Sequence, residues 1–190
     1  MSEVAKSWAR ITRWFARSGI ELALGPPATA ESVRRLEQAI GRELPSDFVE
    51  SLSMFDGQRA SGVSWLGGRL GAVDDLLAEY QRNHSGQRDE DVFELFNTER
   101  VRAVVFDTGR VPLSGMPYWT GDSVFFDFVP GPAGVMGQVI KLVSECDFVV
   151  LGDSWAEVLE RYASLAEAGE LEWHPELHTV RFEWERFRAG

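Results

Sequence analysis

Apolar residues in the first 55 positions recur at helical spacing. Trp8, Ile11, Phe15 and Ser18 share one side of a segment spanning 2–18, Arg10, Arg13 and Arg17 lie along another, and Gly19 is a natural stop. A second helix is predicted over 29–40, with Thr29 as N-cap, Glu31 in its first turn and Gly41 at its end. Its apolar stripe is Val33, Leu36 and Ile40, with Glu37 on the same side. A third helix, 46–55, follows Leu44-Pro45, because proline is well tolerated at a helix's first position. It carries Phe48, Leu52 and Phe55 up to an Asp56-Gly57 turn.

Beyond that turn the period changes. Residues 63–70 read as a short strand and 73–84 as a helix, before a polar loop over 85–91. Strand-like runs follow at 102–106, 123–129, 138–143 and 148–151, separated by turn clusters such as Pro130-Gly131-Pro132-Ala133-Gly134. Short connections favour antiparallel pairing. Asp153 or Ser154 opens a helix over 153–167 whose buried stripe is Trp155, Val158, Leu159, Tyr162 and Leu165. Residues 179–184 alternate Val180, Phe182 and Trp184 with charged neighbours, as an edge strand would. The pattern predicts an α+β fold in a single domain, 1–190. Its N-terminal helices and a C-terminal helix would pack on a twisted, mainly antiparallel sheet.

Composition narrows the picture. A chain of 190 residues with 44% hydrophobic and 12% aromatic content supports a core without metal or disulfide staples. Cys146 is the sole cysteine, which excludes an intrachain disulfide and a thiolate zinc site and fits a reducing cytoplasm. The first residues do not read as a secretory signal, and no run of apolar residues suits a membrane span. The net charge of −11 is uneven: residues 1–60 hold 8 basic and 8 acidic side chains, whereas 61–190 hold 11 and 22. That balance argues against nucleic acid and suits a basic protein partner.

Candidate catalytic chemistry is thin. His174-Pro175-Glu176-Leu177-His178 superficially resembles a zinc-protease helix, but the glutamate is misplaced and Pro175 pushes His174 out of helical geometry. Gly131, Gly134 and Gly137 lie between two strands, without the helix N-terminus that cradles phosphate. Asp122, Asp127 and Asp153 are the carboxylates a small hydrolase would use, in an acid/base pair with split pKa values. A cap at Asp153, a turn residue at Asp122 and a solvated or ion-paired Asp127 are the expected roles instead. The expectation is no catalytic residue, no metal and no cofactor.

Three stretches carry a resemblance. The first is Val33-Arg-Arg-Leu-Glu37-Gln-Ala-Ile-Gly41-Arg-Glu-Leu44-Pro45-Ser-Asp47-Phe48, running on to Asp56-Gly57-Gln58. The second is Val111-Pro112-Leu113, then Gly121-Asp122-Ser123-Val124-Phe125-Phe126-Asp127, then Gly134-Val-Met-Gly137-Gln138-Val139. The third is Asp153-Ser154-Trp155 with Glu157-Val158-Leu159. In this order, over about 8–168, the chain resembles the SUKH superfamily of bacterial toxin-immunity proteins and fungal cell-wall-synthesis regulators; residues 169–190 extend beyond the match. The resemblance implies a non-enzymatic, cytoplasmic protein-binding module, with neutralisation of a cognate, basic toxin as the leading role. A cell-wall or signalling scaffold is the alternative within that class. The chain departs from the pattern at Ser114-Gly115-Met116-Pro117-Tyr118-Trp119. Tyr118, Trp119 and Asp122 are therefore the expected partner-binding residues, with Asp89, Glu90 and Asp91 steering a basic partner.

Overall fold

A computed structural model of the chain describes residues 1–84, 99–104, 107–116, 123–143 and 147–184. Helix α1 (Glu3–Arg17) starts at Ser2, whose hydroxyl accepts the Ala5 N–H at 3.2 Å, and buries Val4, Ser7, Trp8, Ile11 and Phe15. Ser18 leaves that stripe: it is the exposed C-cap, its N–H bonded to the Trp14 carbonyl. Helix α2 (Ala30–Ile40) is capped by Thr29, which accepts the Ser32 N–H at 3.0 Å, and ends at Gly41 in the left-handed region. Glu37 accepts the Leu44 N–H at 3.0 Å, so its carboxylate pins the following turn. Helix α3 (Ser46–Met54) begins where predicted and ends one residue earlier, with Phe55 as its C-cap. Pro45 is extended, with ψ 135°, and serves as the N-cap. Asp47 then reaches across to accept the Ala156 N–H at 2.8 Å.

The five-stranded sheet is an antiparallel meander in the order β1 (Arg69–Leu70), β2 (Arg110–Met116), β3 (Val124–Asp127), β4 (Gln138–Val143) and β5 (Asp147–Gly152). Helix α4 (Val73–His84) follows β1, as its pattern predicts. Helix α5 (Trp155–Ala168) follows β5, with Ser154 as N-cap, Gly169 at its end, and every residue of the predicted stripe buried. A small separate ladder pairs β6 (Glu172–His174) with β7 (Thr179–Arg181) across a 3-10 turn at Pro175–Leu177. No helix among the described residues is long and apolar enough to cross a membrane.

Both faces of the sheet are buried, which is why β3, β4 and β5 read as nearly continuous apolar runs rather than alternating ones. Val111, Leu113, Val124, Phe126, Val139, Val149 and Leu151 join the helices in the main core. There Phe48 meets Phe126 edge-on at 4.9 Å and Trp8 donates to Ser51 Oγ at 2.7 Å. Phe125, Ile140, Leu142, Phe148 and Val150 form a second cluster with Val101 on the opposite face. Arg10 of α1 ties the main-core helices together at the surface, donating to Glu160 and, at 2.6 Å, to Glu167 of α5.

One predicted strand is cut short. Of residues 63–70 only Arg69–Leu70 is strand, because Gly67 and Gly68 take positive φ and turn the chain so that Trp65 N–H meets the Gly68 carbonyl. The strand predicted over 102–106 falls partly outside the described residues, which omit 105–106; just before it Val101 bridges Pro130, and the Val104 N–H bonds the Arg102 carbonyl at 2.8 Å. Conversely, β2 and β6 are strands that the pattern does not predict. The edge strand predicted over 179–184 is confined to β7.

Candidate functional site

Tyr118, Trp119, Asp122, Asp89, Glu90, Asp91 and Cys146 all lie outside the described residues. In the chain, 117–122 fall between β2 and β3, and 85–98 between α4 and β2. The geometry that can be built begins instead with the carboxylates proposed for hydrolysis. Asp127 is wholly buried on the second sheet face, in a row across three strands with Arg110 and Gln138. Its Oδ1 faces Arg110 Nε at 3.7 Å and accepts the Val129 N–H at 3.1 Å, and its Oδ2 accepts Gln138 Nε2 at 3.1 Å. Arg110 donates to the Arg102 carbonyl at 2.8 Å and stacks 4.4 Å over the Phe148 ring. Burial lowers the Arg110 pKa, and the nearby Asp127 and Asp107 carboxylates oppose that shift. Asp153 is half exposed in its side chain and pairs with Arg100, while its N–H is held by Glu157 Oε2 at 2.6 Å. Asp127 and Asp153 are joined in one structural network, because Arg100 Nη2 donates both to Asp153 Oδ1 and, at 3.4 Å, to Oε1 of the Gln138 that binds Asp127.

The Asp56-Gly57-Gln58 corner has a different kind of logic. Asp56 Oδ1 accepts the Val73 N–H at 2.7 Å and so caps α4. Burial raises its carboxyl pKa, the Val73 hydrogen bond opposes that, and Asp74 and Asp75 push the same way as burial. Gly57 sits at φ +60°, where a Cβ would lie 2.4 Å from the Gly71 and Ala72 backbone, so only glycine fits. Gln58 is buried and uses its amide completely. Nε2 donates to the carbonyls of Leu22 (2.7 Å) and Val63 (3.1 Å), while Oε1 accepts Trp65 Nε1 (3.0 Å) and Leu70 N–H (2.8 Å).

That hub holds one wall of a groove of about 1190 Å³. Ala60, Gly62, Ser64, Gly67, Gly68 and Arg69 line this wall, and Leu177 to Phe182 with Trp184 line the other. The walls meet through backbone: Ser64 N–H bonds the His178 carbonyl at 3.1 Å and Val180 N–H bonds the Ser64 carbonyl at 2.8 Å. Beneath them Tyr162 is edge-on to Trp65 at 4.7 Å and to Phe182 at 5.5 Å. Burial pushes the Tyr162 hydroxyl pKa well above its ordinary value. Lys141, between Ile140 and Leu142 of β4, also lines the groove, with Nζ 4.5 Å from the Trp184 ring centroid. His178 lines it at the end of the 3-10 turn, whereas His174 faces Glu172 and Glu176 at 3.5 and 3.4 Å. No three His, Cys, Asp or Glu side chains among the described residues are grouped to hold a metal. Sequence reasoning missed the groove. Its one visible signal is a lysine inside the apolar run Val139-Ile140-Lys141-Leu142-Val143.

An antiparallel meander packed with helices, cornered by Asp56-Gly57-Gln58 and closed by a capped final helix, is an α+β scaffold. The chain belongs to the SMI1 / KNR4 family (SUKH-1), whose family model matches residues 27–167. It is 30% identical over 187 residues to the cell wall biosynthesis/cell cycle regulator smi1 of Schizosaccharomyces pombe, covering 88% of this chain and 37% of that protein. It is 24% identical over 228 residues to a glucan synthesis regulatory protein of Neurospora crassa, covering 98% of this chain and 42% of that one. The chain thus spans about two-fifths of the length of these curated relatives.

Proposed function

We propose that this chain is a regulatory protein-binding module without catalytic activity, acting in control of cell-wall or glucan synthesis. The observation that carries this reading is the family match over 27–167 together with relatives whose names describe regulators of such synthesis. The engagement of Asp127 and Asp153 in structural contacts supports the non-enzymatic part. Neutralising a basic toxin is the second reading, favoured by the acid excess in 61–190. For either partner, Tyr118, Trp119 and Asp122, with Asp89, Glu90 and Asp91 steering, remain the proposed contact residues.

Affinity capture of the tagged chain from its source organism, after crosslinking, tests the reading. A discrete partner from the machinery of wall synthesis supports regulation, and a toxin domain supports neutralisation. Turnover of a small substrate by the purified chain, abolished by Asp153→Asn with the fold intact, would refute the module reading. With a partner in hand, Trp119→Ala should weaken binding by about 2 kcal/mol while leaving the unfolding midpoint nearly unchanged.

A further inference from the structure

We propose that the recess between helices α1 and α5, edged by Arg13, Trp14 and Arg17, receives an acidic helix of a partner protein. This rests on the binding-module reading and assigns it a second contact surface. Charge is the first argument. Acidic residues outnumber basic ones 30 to 19 in the chain, yet α1 carries Lys6, Arg10, Arg13 and Arg17 against Glu3 alone. Their spacing is helical, so the four cations run down one side of α1, away from its buried stripe. Lys6 is matched by Glu3 at 2.6 Å. Arg10 engages both oxygens of Glu167, Nε on Oε1 at 2.9 Å and Nη2 on Oε2 at 2.6 Å, and bonds Glu160 as well. Arg13 then acts on Glu167 only through its field. Arg13 and Arg17 are both exposed and make no hydrogen bond or ion pair among the described residues. Like charges four apart on a helix repel, and an anion placed between them relieves that repulsion. Arg17 gains something from the carbonyl end of α1, but Arg13, one turn earlier, has no such role.

Shape is the second argument. The recess measures about 420 Å³, and Ala166 and Glu167 of α5 form the side facing the α1 residues. Trp14 is half-buried: part of its ring packs against the core, edge-on to Phe15 at 5.0 Å, and part lines the recess. A furrow between two packed helices takes a third helix, which lays one face into it. On such a helix carboxylates at i and i+4 stand about 5–6 Å apart between Cβ atoms, the same interval as Arg13 and Arg17. Each guanidinium fork then meets a carboxylate in two parallel hydrogen bonds. An apolar residue at i+3, between those carboxylates, reaches Trp14. A membrane or a nucleic acid would bring a far larger field of negative charge against a chain of net charge −11. A short acidic helix is the occupant that the charge favours.

The test is fluorescence anisotropy of the intact chain with a fluorescein-labelled helical peptide carrying Glu at i and i+4 and Leu at i+3. Its counterpart with Gln for Glu, a single-stranded oligonucleotide, and vesicles of phosphatidylserine and phosphatidylcholine are the comparison probes. The Glu peptide should bind, about tenfold more weakly to Arg13→Gln/Arg17→Gln, and more weakly as salt rises from about 0.1 to 1 M. Arg34→Gln, on the exposed face of α2, should leave binding unchanged. The urea midpoint of the double variant should not fall, because both side chains are exposed and the substitution removes a repulsion. Failure of the Glu peptide to bind, equal binding of the Gln peptide, or full binding by the double variant overturns the proposal. So does a lowered midpoint with binding retained, which would give the two arginines a structural role. Oligonucleotide or vesicle binding as strong as that of the peptide, with the same variant dependence, overturns it too. If a natural partner is captured equally by the double variant, the α1 assignment falls and the module reading stands.

Discussion

Replacing Gln58 with leucine isolates the hydrogen-bonding role of this side chain from its volume. Leucine nearly fills the same space, so little of the effect should come from a cavity. What disappears is the pairing of four buried groups: the Leu22 and Val63 carbonyls, the Trp65 indole N–H and the Leu70 N–H. Carbonyl oxygens retain a second lone pair, but each N–H has a single proton and would be orphaned in the core. An unsatisfied buried donor costs about 1–3 kcal/mol, so two of them, with the weakened carbonyls, total about 4 kcal/mol. Against a typical domain stability of about 5–15 kcal/mol this is a large fraction. Urea unfolding followed by tryptophan fluorescence reads it directly, because Trp65 stands 5.6 Å from Trp8 in the core. With a slope near 2 kcal/mol/M the midpoint should fall by about 2 M at unchanged slope. A loss below about 1 kcal/mol would refute the reasoning, since it would mean that the four groups find other partners and the hub is incidental.

Asp127→Ala should cost about 3–5 kcal/mol by leaving the buried Arg110 without its carboxylate, whereas the double variant Arg110→Met/Asp127→Leu should cost less than Asp127→Ala alone. Urea midpoints across the set check this, and a double variant less stable than Asp127→Ala would contradict it. Asp56→Asn keeps an acceptor for Val73 N–H but cannot ionise. Because burial raises the Asp56 pKa in the folded state, the stability tied to its protonated form is present below the unfolded carboxylate range and lost as pH rises through the raised value. The asparagine variant should therefore gain on the wild type as pH increases through that window, and a stability difference independent of pH would count against the assignment.

The elements legible in the sequence were those whose signals are local. Helices α1, α2, α3 and α5 each combine a periodic apolar stripe with a start or stop residue, and β4 is bounded as its apolar run suggests. Strand β2 was hidden by Pro112, because a proline lacks the N–H that an interior strand needs. The sheet accommodates it at a register shift between Pro112 and Ser114, so the local rule holds and the strand survives around it. The strand expected over 63–70 shrinks to Arg69–Leu70 for a different reason: the turn at Gly67 and Gly68, which brings the Trp65 N–H onto the Gly68 carbonyl, depends on positive φ that an apolar run does not reveal.

The groove was invisible for a further reason: its chemistry is assembled from residues with no common spacing. Arg69 lies before the α4 helix, Lys141 in the middle of the sheet and Arg181 after the last helix, and each alone reads as an ordinary charge. What joins them is the meander, which sets β1 and β4 in one sheet, and the bridge from Ser64 to Thr179, which folds the hairpin back onto loop 60–69. The family match ends at residue 167, so one groove wall belongs to the matched scaffold and the other, Leu177 to Trp184, lies beyond it. That division has a physical consequence. Gly57 is fixed by the adjacent Gly71 and Ala72 backbone and Gln58 by four hydrogen bonds of its amide, so the scaffold wall has little freedom to change. The hairpin wall is tied by two backbone hydrogen bonds and by aromatic edges on Tyr162, and its exposed Leu177 and Arg181 can change without disturbing either. Substitutions at Leu177, 54% exposed, should therefore leave the urea-unfolding midpoint unmoved, and a shift of the midpoint would show that the hairpin tip is part of the core.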